Sequence, residues 1–339
     1  MKNILITGGA GTVGREIVKM LTSNPEYHVT CFDLNTSKNR SILRPLRSKM
    51  DLVFGDIRDE KTVQRLVENQ DIIIHLAAII PPKADQLPDL TYQVNVLGTQ
   101  NLINTISASP RKPFLIYASS VSVYGDRLKN PYISVSDPLT PSDRDEYGKT
   151  KVETERRIIN SNIDWSIFRL TAIMGSRNHK IGPLMFHMSL DTLMEIATPE
   201  DTARAFYNAI EKTEPLNHRI FNLSGGEKCR IKYRDFLERS FCLAGLGALD
   251  FPKKTFAERN FHCGYFTDGG ELEEILHFRC DTIETFFENF RKGVSVIQKY
   301  FTVLFRRWIK RGLLRRSDPY RAFRSMDEGE MRHYFEVGA

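Results

Sequence analysis

Cysteine is scarce and unpaired in this sequence. The five cysteines, Cys31, Cys229, Cys242, Cys263 and Cys280, form no CxxC pair, so neither a disulfide framework nor a zinc site is expected. No apolar run approaches the roughly 20 residues needed to span a bilayer. Internal repeats and low-complexity blocks are also missing. Met1 leads directly into a strand-like run, an opening unlike a signal or transit peptide, and a cytoplasmic protein is expected. One stretch lacks acid: residues 299–316 hold Lys299, Arg306, Arg307, Lys310, Arg311, Arg315 and Arg316 but no Asp or Glu. Without these seven, 41 basic residues face 42 acidic ones in a chain of formal net charge +6. The basicity belongs to a tail, and the body gives no reason to expect nucleic-acid binding.

What is present is the composition of a globular protein, 339 residues with 41% hydrophobic and 27% charged. That length can bury a full α/β core and a smaller lobe. Strand-like runs at 4–6, 28–32, 52–54, 72–76, 114–118 and 165–170 alternate with helix-like stretches at 59–69, 91–107 and 147–160. Such alternation predicts right-handed crossovers and a doubly wound parallel sheet covered on both faces. Ligands bind beyond the C-terminal strand ends of such sheets.

The first strand runs into Thr7-Gly8-Gly9-Ala10-Gly11-Thr12-Val13-Gly14, after which Val13, Ile17, Val18 and Leu21 follow a helical period. Gly8, Gly11 and Gly14 let the backbone turn tightly and let a pyrophosphate approach the helix N-terminus, with Thr12 and Val13 beside it. Asp33, about 20 residues beyond the turn, suits an adenosine ribose and would repel a 2′-phosphate. NAD is therefore favoured, with Lys38 and Arg40 keeping NADP as the alternative. Asp56 is open to two readings, an adenine contact or a loop or helix-capping aspartate.

Tyr147 and Lys151 lie four apart on a predicted helix and share one face. An ammonium beside a phenol stabilises phenolate and lowers the tyrosine pKa from about 10 toward neutrality. Tyr147 can then exchange a proton with a substrate hydroxyl while hydride moves. A serine at the end of the fifth strand, in Ser119-Ser120-Val121-Ser122-Val123-Tyr124-Gly125, can orient the same oxygen.

With TGGAGTVG, Asp33, Gly55-Asp56-Ile57, His75-Leu76-Ala77-Ala78, Asn95-Val96-Leu97-Gly98-Thr99, SSVSVYG and YGKTK in this order, residues 1 to about 290 resemble an extended short-chain dehydrogenase/reductase. That group includes NAD-dependent sugar-nucleotide epimerases and dehydratases. The resemblance implies a Rossmann-type domain over 1–170, its sheet completed by 197–224. A substrate lobe is expected from 171–196 and 225–292, and a basic helical tail from 293–339. It implies Ser120, Tyr147 and Lys151 as catalytic residues, Ser120 being preferred to Ser119 by its distance from the tyrosine of VYG. Lys151 would also hold the nicotinamide ribose, and Ile57, Leu76, Ala77, Ala78 and Asn95 would join the cofactor site. A homodimer through the helices near 92–107 and 147–160 is implied as well.

Val121 and Ser122 stand where the family's 4,6-dehydratases carry an acidic pair, which argues against that reaction and against the related decarboxylase. Ser122 resembles the small hydroxyl residue with which 4-epimerases contact the sugar, or else it fills space. The short interval between Gly175 and Ala197 leaves little chain for a nucleotide diphosphate. Arg177, Asn178, His179 and Lys180 within it are candidates for an anionic substrate or a solvated loop, and Arg279 is a substrate ligand or a salt-bridge partner. The reading is an epimerase-like enzyme acting at a ring hydroxyl of a sugar or sugar nucleotide. The alternatives are a dehydrogenase or reductase of a smaller alcohol, such as a hydroxy-amino acid or uronate, and a non-catalytic nucleotide-sensing module. In the tail, Val294, Ile297, Phe301, Leu304, Phe305 and Trp308 form one helical stripe. That stripe suits docking on the protein's own domain or a subunit with the basic face solvated; the less favoured reading is peripheral membrane contact through 294–316.

Overall fold

The computed structural model describes residues 1–175 and 181–336. Seven parallel strands form one sheet in the order β3-β2-β1-β4-β5-β7-β9: β1 Lys2–Thr7, β2 Tyr27–Asp33, β3 Asp51–Phe54, β4 Ile72–His75, β5 Phe114–Ser120, β7 Trp165–Leu170 and β9 Arg219–Leu223. Chain direction across the sheet reverses between β1 and β4, and that switch opens a crevice at the C-terminal strand ends. Two small pairs, absent from the strand pattern above, complete the β-structure. Tyr132–Ile133 (β6) pairs with Tyr265–Phe266 (β11), and Leu193–Glu195 (β8) pairs antiparallel with Arg230–Lys232 (β10).

The period-2 alternation of β1 sets the two layers. Ile4 and Ile6 face a core shared with Ile17, Val18 and Phe206 of helices α1 (Thr12–Leu21) and α4 (Pro199–Ala209). Leu5 faces the opposite core, with Leu102, Ile103 and Ile158 of α2 (Gly98–Ala108) and α3 (Glu146–Ile159). The long helix expected over 91–107 is interrupted by a π-turn at Gln93–Leu97.

A second, phenylalanine-rich core lies outside the sheet. Phe236 and Phe241 of α5 (Tyr233–Ala244) meet Phe286, Phe287 and Phe290 of α6 (Ile283–Gly293), together with Phe186 and Leu313. The tail continues as α7 (Val296–Arg315), α8 (Asp318–Ser325) and α9 (Glu328–Tyr334). It is no loose appendage. Ala322, Tyr334 and Phe335 bury themselves against Ala257, and Arg144 pairs with Glu330 at 2.6 Å. No helix among the described residues is long and apolar enough to cross a membrane.

Candidate active site

The glycine turn leaves β1 at the switch point. Gly8 has φ +77°, and a Cβ there would sit 2.8 Å from the backbone nitrogen of Ala77. At Gly14 a Cβ would meet the Gly8 carbonyl oxygen at 2.3 Å. Both positions therefore require glycine for close backbone approach. Gly11 N–H donates to Gly8 O at 3.0 Å and closes the turn. No side chain caps α1, and its first turn carries no acid, so the N–H groups around Thr12 and Val13 present a positive dipole end to an anion. This cradle fits the pyrophosphate of a dinucleotide.

Asp33 ends β2 and ties the turn down. Its Oδ2 accepts from Ala10 N–H at 2.7 Å, and its Oδ1 accepts from Leu34 N–H and Asn39 Nδ2 at 2.7 and 2.8 Å. Burial pushes the carboxyl above its ordinary value, against these three bonds. Oδ2 retains acceptor capacity for a ribose hydroxyl. Arg40, one of the two basic residues on which the NADP alternative rests, is bonded to Asn35 Oδ1 at 2.6 Å. Asp56 pairs with Arg58 at 2.6 Å, which holds its carboxyl below the usual range. Ile57 is buried against Gly98.

The loop after β4 closes over the turn. Leu76 N–H donates to Thr7 O at 3.1 Å, Ala77 N–H reaches Thr7 Oγ1 at 3.3 Å, and Ala78 follows, partly buried. Asn95 lies in the π-turn. Its Oδ1 accepts from Ile79 N–H at 2.8 Å, while its Nδ2 donates to Ile79 O and Thr150 Oγ1 at 3.0 and 3.1 Å. Its buried amide thus holds the loop after β4 against α3.

Asp145 caps α3 by accepting from Gly148 N–H at 2.7 Å, and Tyr147 and Lys151 follow on one face. Ser120 at the end of β5 lies close enough to Tyr147 to oppose the rise of the phenol's pKa, and its Oγ accepts from Ser122 N–H at 3.2 Å. Ser119 points elsewhere, donating to Glu155. Lys151 is 3% exposed; its Nζ donates to Ala118 O at 2.6 Å and Tyr117 Oη at 3.0 Å. Burial brings this amine down to about 7, opposed by the Glu155 charge one turn along. The expected lowering of Tyr147 is not found in the protein alone. Burial pushes the phenol up, with Ser120 opposing and the Asp145 charge adding. The reason is geometric: Lys151 Nζ stands 5.6 Å from the Tyr147 ring centroid and directs hydrogen bonds to β5.

Ser122 is fully buried, and its Oγ has no hydrogen-bond partner among the described residues. Arg279 donates from Nε to Ser224 O at 2.8 Å and from Nη2 to Gly269 O at 2.6 Å. Arg177 and Asn178 lie outside the described residues, as do His179 and Lys180. The sequence reading missed a buried network behind Lys151. Arg169 bonds Glu155 at 2.7 Å and Tyr124 Oη at 2.7 Å; Tyr124 donates to Asn222, and Asn222 to Asp268 at 2.9 Å. Glu155 stands four residues after Lys151 on α3, a spacing that was available as a signal.

A family model described as the NAD dependent epimerase/dehydratase family matches residues 4–224. An uncharacterized membrane protein of Methanocaldococcus jannaschii is 29% identical over 235 residues, covering 67% of this chain and 65% of that protein. UDP-glucose 4-epimerase 2 of Oryza sativa subsp. japonica is 32% identical over 182 residues, covering 50% of this chain and 44% of that one. The chain thus spans less than two thirds of either relative's length. The crystal structure of UDP-glucuronic acid 4-epimerase from Bacillus cereus, in complex with UDP-glucuronic acid and NAD, has the same fold. Its TM-score is 0.72 at 20% identity, covering 86% of this chain and 98% of that one.

Proposed function

This chain belongs to the NAD dependent epimerase/dehydratase family, and we propose that it catalyses reversible hydride transfer at a ring hydroxyl of a sugar or sugar nucleotide. Its cofactor is NAD. One observation carries the proposal: Ser120 at the C-terminal end of β5 stands beside Tyr147 near the start of α3, with Lys151 one helical turn farther along.

Nicotinamide, when bound, supplies the acceptor and donor of hydride. The chain handles the proton. Ser120 offers its hydroxyl to the reacting oxygen and holds it beside Tyr147. As phenolate, Tyr147 takes the hydroxyl proton while a carbonyl forms, and returns it on the way back. Phenolate in so buried a place needs a neighbouring positive charge. Lys151 is the cation placed to supply it, on the same face of α3 with its Nζ 5.6 Å from the Tyr147 ring centroid. Ser122, buried with an unspent hydroxyl, is suited to a substrate hydroxyl, and leaving it unpaired costs about 1–3 kcal/mol.

The epimerase-like form is supported by Val121 and Ser122 in place of an acidic pair, and by the relative named a UDP-glucose 4-epimerase. The short interval between Gly175 and Ala197 supports a second reading, net oxidation or reduction of a smaller alcohol or ketone. Incubating the protein with UDP-glucose, UDP-glucuronate and a panel of small hydroxy acids separates them. A 4-epimer without accumulated reduced cofactor supports the first. Stoichiometric reduced cofactor supports the second, and no reaction with any of them favours a nucleotide-sensing module. Homodimerisation is part of this proposal, supported by exposed Tyr92 and Leu97 in the segment leading into α2 and by exposed Ile159 at the end of α3.

A further inference from the structure

The helix α7 turns most of its apolar side chains to solvent, while Lys310 and Leu313 face the body. Lys310 donates to Ala248 O at 2.6 Å and pairs with Asp250. The backbone at Gly245 comes so close to Lys299 and Val303 that a Cβ there would lie 3.0 Å from each. Leu313 enters the phenylalanine-rich core. Positions 299, 303, 310 and 313 share one helical face. Ile297, Phe301, Leu304 and Trp308 occupy the opposite face and are 71, 53, 61 and 72% exposed. Tyr300 and Phe305, also exposed, widen that face, and Arg307, Arg311 and Arg315 run along it at helical spacing. Ser295 caps the helix at its N-terminus, and Ser317 Oγ ties its C-terminal end to the body by donating to Thr255 O at 2.7 Å. Of the expectation that the stripe docks on its own domain or on a subunit, the first half is met by Val294 alone; from Ile297 to Trp308 the stripe faces solvent.

We propose that α7 seats this protein on an anionic membrane, lying in the headgroup layer with Ile297, Phe301, Leu304 and Trp308 toward the acyl chains and the arginines against lipid phosphates. Charge selects this occupant. A second copy docked here would bring together two segments that each carry seven basic residues and no acid, with no carboxylate to separate them. An anionic lipid surface supplies the missing sign across the whole face and accommodates aromatic side chains at the headgroup level. The helix lies on the membrane rather than spanning it, since it is too short of apolar residues to cross.

Co-sedimentation of the full chain with vesicles tests this, using phosphatidylcholine alone and phosphatidylcholine with about one-third phosphatidylserine. Recovery with the anionic vesicles is expected, at least about tenfold weaker with neutral ones, and reversed by salt. The emission of Trp308 should shift to the blue, and Trp165, already buried, contributes no change. Phe301→Glu with Trp308→Glu should abolish binding and leave the thermal midpoint unchanged, because both side chains face solvent. Arg307→Gln and Arg311→Gln should each weaken it about fivefold. Three results overturn the proposal: no recovery with anionic vesicles, binding indifferent to lipid charge, or binding indifferent to the Phe301/Trp308 variant. A dimer broken by that variant, without vesicle binding, would assign the face to a second copy instead.

Discussion

The Glu155 carboxylate meets the Arg169 guanidinium at 2.7 Å, and both side chains are almost wholly buried. The pair joins α3, the helix that carries Tyr147 and Lys151, to strand β7, and Glu155 also accepts from Ser119 beside Ser120. Removing one partner leaves an uncompensated buried charge. Glu155→Gln is expected to cost about 3–5 kcal/mol of stability, measured by urea unfolding. It should also depress the Lys151 pKa further, because the Glu155 charge is what opposes burial there.

Lys151 makes stability depend on pH in a defined direction. Its pKa is about 7 in the fold and near the ordinary 10.5 when unfolded. Between those values the unfolded chain binds more protons at this group, so its contribution to stability rises with pH across that window. The cost of burying the ammonium is felt in full below about pH 7. Lys151→Met should remove a slope of at most about 1.4 kcal/mol per pH unit. Urea titrations of both proteins between pH 7 and 10 measure the difference.

Gly14→Ala tests the cradle. Its Cβ would lie 2.3 Å from Gly8 O, a backbone atom that cannot step aside. A loss of about 1–3 kcal/mol is expected from the forced backbone shift, together with loss of NAD binding. Thermal unfolding with and without NAD shows both: the variant should melt lower and gain nothing from the cofactor.

Asp33→Asn keeps a side chain that can accept from Ala10 N–H but removes the charge that repels a 2′-phosphate. The NAD-over-NADP preference should narrow by about tenfold or more. Calorimetric titration with both dinucleotides measures it.

The sheet and cradle were legible in the sequence because local signals and fold agree there: β1 carries the apolar run Ile4–Ile6, the turn carries glycine where Cβ atoms collide, and α1 keeps a helical period. Tyr147 and Lys151 were legible for the same reason, four apart on one helix. The missed features depend on distant partners. The π-turn at Gln93–Leu97 places Asn95 against Ile79 and Thr150, which no local pattern encodes. Arg169 meets Glu155 only because β7 lies beside β5 in the sheet. The stripe on α7 could be read from periodicity, but which face turns inward is decided by Lys310 with Asp250 and by the close approach at Gly245.

Tyr147→Phe removes one oxygen and with it the proton exchange. Turnover should fall by about 10²–10⁴-fold, the usual contribution of general acid–base catalysis. Cofactor affinity should be unchanged by calorimetry. Turnover equal to that of the unaltered protein would remove Tyr147 from the mechanism.

Central to the proposed chemistry is a cofactor that is reduced and reoxidised in place. The most direct measurement denatures purified, extensively dialysed protein and assays the supernatant for nicotinamide dinucleotide. Close to one NAD per chain is the expected result. A site that loses NAD on dialysis and rebinds it freely, with reduced cofactor accumulating in the presence of substrate, would contradict in-place recycling and make the enzyme a net dehydrogenase or reductase.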